Sequence, residues 1–173
     1  HQGHFGFMMN VTNRDGQILK AKHIPDTNEY YREKQIWDKV HPHALEASNN
    51  SEQVLYMKEL GKSLEQIKKH NPNYTLSNNQ LVYLIGQLKE IHSLDLEHRR
   101  YGRDGWVHKD LHPGNILIAK DRTPSLIDFG LSTPKNFEIS EKRHINFGTD
   151  NSVVTEKYDI YSLGLIMTGE KKP

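Results

Sequence analysis

The chain has 173 residues, with 23 Lys and Arg against 22 Asp and Glu (net charge +1), 35% hydrophobic residues, 26% charged residues and no cysteine. This length suits one domain, or two small lobes sharing an interface, and buries a real core, while the balanced charge excludes bulk attraction to nucleic acid or anionic lipid. The absence of cysteine excludes disulfides and thiolate metal sites, and no apolar run approaches the ~20 residues of a membrane span, so no nucleic-acid or membrane partner is expected.

From the start of the chain, Gly3, Gly6, the turn Asn13-Arg14-Asp15-Gly16 and the run 17–24 read as hairpin strands around an Asp-Gly turn. Residues 26–40 read as a helix capped by Asp26 or Thr27, with Tyr30, Ile36, Trp37 and Val40 as its apolar stripe. A short apolar run at 53–57 predicts a strand, followed by Gly61, a short helix at 63–69 and a break at Asn71-Pro72-Asn73. The strongest periodicity follows: Ser77 or Asn78 caps a helix whose buried face is expected to hold Leu81, Leu84, Ile85, Leu88, Ile91 and Leu94. Residues 97–105 read as a loop, 116–119 and 125–127 as two short strands, 133–155 as an exposed loop, and 158–167 as an apolar helix. Strands first and helices after predict an α+β fold.

Chemistry concentrates in Val107-His108-Lys109-Asp110-Leu111-His112-Pro113-Gly114-Asn115, and eighteen residues after Asp110 comes Asp128-Phe129-Gly130. The first segment resembles the protein-kinase catalytic loop H-R-D-L-x-x-x-N and the second its D-F-G motif. Phosphoryl transfer explains the grouping. Asp110 would accept the proton of the incoming hydroxyl, while Asn115 and Asp128 would supply hard oxygen ligands to Mg²⁺. Taken singly, each motif is also an ordinary turn sequence.

Further segments fit the same resemblance, which implies a minimal bilobal kinase-like fold with an N-lobe at 1–57, a hinge at 58–62 and a C-lobe at 63–173. His1-Gln2-Gly3-His4-Phe5-Gly6-Phe7-Met8 resembles the glycine-rich loop over the ATP phosphates, retaining Gly3 and Gly6. In Ile18-Leu19-Lys20-Ala21-Lys22, the spacing from Gly16 favours Lys22 as the phosphate-binding lysine, with Lys20 on the same face as the alternative. Glu33 is its expected helical partner, and Glu29 the alternative one turn earlier. Met57 would be the gatekeeper, and the backbone of residues 58–60, from Lys58 to Leu60, would bond adenine. Tyr158-Asp159-Ile160-Tyr161-Ser162-Leu163-Gly164 resembles the D-x-Y-S-x-G helix start, which implies that Asp159 supports the catalytic-loop backbone.

Some positions depart from the pattern. Lys109 stands for the usual Arg and offers a point charge instead of a guanidinium fork, so activity is expected without loop phosphorylation. His112 replaces the lysine of serine/threonine kinases, and His-Pro-Gly-Asn is common in small-molecule phosphotransferases resembling aminoglycoside and choline kinases. No A-P-E follows Phe147-Gly148-Thr149, and the chain stops at Pro173. Small size and a shortened large lobe resemble the kinases that bacterial pathogens secrete into host cells, among them the HopBF family. That resemblance implies a serine/threonine protein kinase effector, delivered to the host cytosol and acting on a host protein such as heat-shock protein 90. The alternatives are a small-molecule kinase and an inactive pseudokinase scaffold.

Overall fold

The computed structural model describes residues 7–99, 102–137 and 153–169 and shows an α+β architecture. The chain divides into two units, His1–Leu60 and Gly61–Pro173. Gly3, Gly6 and Phe147-Gly148-Thr149 lie outside the described residues.

In the first unit, β1 (Phe7–Thr12), β2 (Ile18–His23), β3 (Leu45–Asn49) and β4 (Val54–Lys58) form one antiparallel sheet in the order β1-β2-β4-β3. The β1–β2 turn closes because Asn13 Oδ1 accepts the N–H groups of Asp15 and Gln17, while Gly16 takes the left-handed backbone (φ +79°) that a turn there requires. Asp26 caps α1 (Thr27–Val40) by accepting from the Glu29 N–H, and Tyr30, Glu33, Ile36, Trp37 and Val40 form its buried face. Strand β3 gives little sequence signal: Leu-Glu-Ala-Ser-Asn is polar and poor in β-branched residues. Pairing with β4 creates it, through a bulge between Leu45 and Ala47.

The second unit opens with β5 (Lys62–Ser63) and α2 (Leu64–His70), then α3 (Asn78–His92). Both helices start in capping boxes, Ser63 with Gln66 and Ser77 with Gln80. The α3 stripe is narrower than periodicity predicts. Leu84, Leu88, Ile91 and Leu94 are buried, but Ile85 is exposed and Leu81 only partly covered. Ile85 lies about 100° around the axis from Leu84, and the place beside the apolar stripe goes instead to buried Gln80 and His92. Gln87 then ties α3 to β8 (Pro124–Leu126), donating to the Pro124 carbonyl and accepting from the Leu126 N–H. Strands β5, β7 (Ile116–Ile118) and β8 form one small antiparallel sheet, and β6 (Trp106–Val107) pairs with β9 (Thr133–Pro134). Gly61 (φ +128°) passes so close to β7 that a Cβ would lie 2.2 Å from the Ile118 oxygen. Helix α4 (Glu156–Thr168) ends at Gly169 in the left-handed conformation. Among the described residues no helix is long and apolar enough to cross a membrane.

Candidate active site

In the first unit the alternation of β2 offers two lysines. The Nζ of Lys22 lies 2.8 Å from Glu33 Oε1, with both residues buried. Lys20 instead pairs with Glu59 at 3.2 Å, where both groups meet solvent. On α1, Glu29 faces Arg32 at 3.9 Å, and its carboxyl is raised above its ordinary range, chiefly by partial burial. The fold thus selects one lysine and one glutamate from the alternatives and joins them. A buried charge is tolerated only beside an opposite charge. Met57 is buried in the sheet core. The Lys58 N–H is already given to the Ala44 carbonyl at 2.8 Å, so at that residue an adenine would have only the carbonyl oxygen to use.

In the second unit the catalytic-loop segment is built around buried Asp159 at the start of α4. Its Oδ2 accepts from the His108 N–H (2.8 Å) and from His92 Nε2 (2.8 Å), and its Oδ1 accepts from the Lys109 N–H (2.9 Å). These bonds hold Lys109 at φ +74°, a conformation that costs a non-glycine residue about 1–3 kcal/mol. The Lys109 ammonium lies over the Phe137 ring, 5.8 Å from its centroid. Next to it, His108 is fully buried against Phe129. Its Nδ1 accepts the Asp110 N–H (3.0 Å), so its proton sits on Nε2 and is donated to the Ile127 carbonyl (2.8 Å). One imidazole therefore links the loop to the residue preceding Asp128.

Asp110 and Asn115 are brought together by a short 3-10 turn at Pro113–Asn115. Asn115 Nδ2 donates to the Asp110 carbonyl (2.8 Å) and to its Oδ2 (3.1 Å). Reversing the amide would set its oxygen against those two oxygens, so Oδ1 is the end of Asn115 left to a metal. The Ile127 N–H donates to the Asn115 carbonyl at 2.9 Å, which places Asp128 one residue beyond that bond. Asp128 itself has φ +62°, and its Oδ1 accepts from the Gly130 N–H (3.3 Å). Among the described residues no group of three or more His, Cys, Asp or Glu could hold a metal ion. Asn115 and Asp128 would therefore bind one only together with water and phosphate oxygens, which is the usual environment of Mg²⁺. The donor set fits a hard cation.

Tyr158, packed with Val107 and Val154, has its phenol pushed up to about 12 by burial and then by the charges of Asp159 and Asp110. The ion pair with Lys135 holds the Glu156 carboxyl below its ordinary range. His92 went unremarked in the sequence, although a signal existed: it falls four residues after buried Leu88, where a polar residue needs a buried partner.

The sequence profile of the phosphotransferase enzyme family (APH) matches residues 25–137. Tyrosine-protein kinase SPK-1 of Girardia tigrina is 31% identical over 124 residues, covering 66% of this chain and 23% of that protein. Mitogen-activated protein kinase 12 of Mus musculus is 29% identical over 123 residues, covering 65% of this chain and 30% of that one. The probable serine/threonine-protein kinase PknB of Lactococcus lactis is 26% identical over 106 residues, covering 56% of this chain and 16% of that one. The chain spans less than a third of the length of these curated relatives. The profile takes in Glu33, Asp110, Asn115 and Asp128 and stops short of Lys22. With well over half of its residues matched, this chain belongs to the phosphotransferase enzyme family, within the protein-kinase-like superfamily.

Proposed function

We propose that the protein is an ATP- and Mg²⁺-dependent protein kinase, moving the γ-phosphoryl group of ATP to a serine or threonine hydroxyl. Family membership implies ATP and a divalent metal in general terms. The observation that carries the reading is the Asp110–Asn115 pair, a proton acceptor hydrogen-bonded to a metal-ligand candidate whose backbone is tied to the residue before Asp128. In this scheme Lys22, steadied by Glu33, orients the nucleotide phosphates and Asp110 takes the hydroxyl proton. Asn115 and Asp128 hold Mg²⁺, which when bound would offset charge developing on the phosphoryl oxygens.

Support for a protein acceptor comes from the relatives, whose names mark them as protein kinases. Asp159 adds to it, bonded to the loop as the D-x-Y-S-x-G resemblance implies. In its finer form the proposal makes the protein a bacterial effector, secreted into the host cytosol and acting on heat-shock protein 90. That form rests on the resemblance to secreted effector kinases and is put to the test with the chaperone itself. A small-molecule acceptor is the second reading, favoured by Leu111-His112-Pro113-Gly114-Asn115 and by the family matched. The test is incubation with γ-labelled ATP and Mg²⁺ in a eukaryotic lysate, and separately with purified heat-shock protein 90. Label on protein serine or threonine supports the proposal; label confined to small molecules replaces it with the second reading.

A further inference from the structure

The scheme above gives His112 no task, yet its ring is held firmly. Nδ1 accepts the Gly114 N–H at 3.1 Å, so in the neutral ring the proton belongs to Nε2. A Cβ at Gly114 would lie 2.8 Å from the ring Cε1 and 2.9 Å from Glu65 Oε2, so only glycine leaves room for the ring where it stands. Nε2 lies 3.0 Å from Asn115 Nδ2 and 3.7 Å from Asp110 Oδ1. The first contact sets two donors side by side, because both Asn115 amide protons are already given to Asp110. The second is too long for a hydrogen bond. Among the described residues the Nε2 proton therefore has no acceptor, and the side chain, 43% exposed, is open to an incoming group.

We propose that His112 is a further catalytic residue, which donates its Nε2–H to the acceptor oxygen as that oxygen gives its own proton to Asp110. The proposal rests on the phosphotransferase reading. An oxygen within hydrogen-bond distance of both Asp110 Oδ1 and His112 Nε2 spans the 3.7 Å between them as a bent bridge. A hydroxyl has one proton and two lone pairs. With the proton on Asp110 and one lone pair on His112, the remaining pair is fixed for attack. In the step, the acceptor O–H proton passes to Asp110 and the acceptor oxygen forms a bond to the γ-phosphorus. The bond from that phosphorus to the bridging oxygen breaks, and ADP leaves. An amine has a single lone pair, which the attack consumes, so the arrangement selects hydroxyl acceptors over amines.

The test uses water as the acceptor, measuring ADP released from Mg·ATP by the whole chain, with nucleotide affinity followed through a fluorescent ATP analogue. His112→Leu should lower turnover by roughly 30- to 100-fold while nucleotide affinity stays within about twofold, and His112→Gln, which keeps an N–H donor, should recover much of the loss. Added imidazole should raise the turnover of His112→Ala by roughly fivefold or more, which a purely structural role would not produce. Wild-type turnover in His112→Leu, or a deficit that neither glutamine nor imidazole relieves, overturns the assignment of His112. Absence of both ATP turnover and nucleotide binding in the wild type would instead overturn the phosphotransferase reading itself.

Discussion

In the first unit Lys22 is held by one buried ion pair with Glu33 between a regular strand and a regular helix. In the second, Asp110, Asn115 and Asp128 stand outside strands and α-helices, with Asp110 fixed through His108 and Asp159 and Asn115 tied to Asp110 and to the Ile127 N–H. The difference follows from side-chain length. Lysine has four rotatable bonds and needs a partner at its tip, because immobilising it costs about 1.5–2 kcal/mol. Aspartate and asparagine are short, so the main chain decides where their oxygens lie. Two residues at positive φ, Lys109 and Asp128, are the cost of aiming them.

Substitution can break that comparison from either side. The largest effects should come from the short side chains. Asp128→Ala and Asp110→Ala should each lower ATP turnover by about a thousandfold or more with the circular dichroism unchanged. Asn115→Ala should do less, since water can stand in for a neutral ligand. Near-normal turnover in Asp128→Ala with saturating Mg²⁺ would remove it from the metal site. Asp159→Asn comes next, because it turns an acceptor of three hydrogen bonds into a group with one oxygen. It should cost about 3 kcal/mol in denaturant unfolding and impair turnover indirectly.

For the first unit, Lys22→Met leaves Glu33 buried beside an apolar side chain, and a loss of about 3 kcal/mol is expected along with most turnover. Lys20→Met breaks only an exposed pair and should stay within about 1 kcal/mol, with little effect on rate. The reverse ranking would transfer the phosphate-binding role to Lys20. A last effect concerns pH and leaves turnover near neutrality untouched. The Tyr158 phenol is raised to about 12, so the neutral form is favoured in the folded state. Its contribution, at most about 2–3 kcal/mol, should be intact below about pH 10 and lost between about pH 10 and 12. Subtracting the stability curve of Tyr158→Phe from that of the wild type should isolate this alkaline loss, and matching curves would refute it.

Regular elements were the part legible in the sequence. Caps at Asp26 and Ser77, the Asp-Gly turn and the apolar stripe of α3 each have a local cause, and each was visible in a window of a few residues. Strand β3 was not, because its stability is borrowed from β4, and Ile85 was misplaced because periodicity gives a stripe without its width. The site divides the same way. The resemblance to the kinase catalytic loop and D-F-G motif put Asp110, Asn115 and Asp128 in one group, while only the distance from Gly16 favoured Lys22 over Lys20, since alternation treats the two lysines alike. Pairings across separate segments, such as His92 with Asp159 or His108 with Ile127, cannot be read from any one window of residues.

Because Asp159 and the His108 ring take up three consecutive main-chain N–H groups, residues 108–110 should behave unlike a loop in hydrogen–deuterium exchange. Their amides should be released only when α4 separates from the segment it braces or the His108 ring leaves its place, with protection approaching that of the sheets. Exchange at these positions then acts as a gauge of how firmly the braced arrangement holds. A substrate, inhibitor or distant substitution that loosens α4 would register there before any change in secondary structure could be seen.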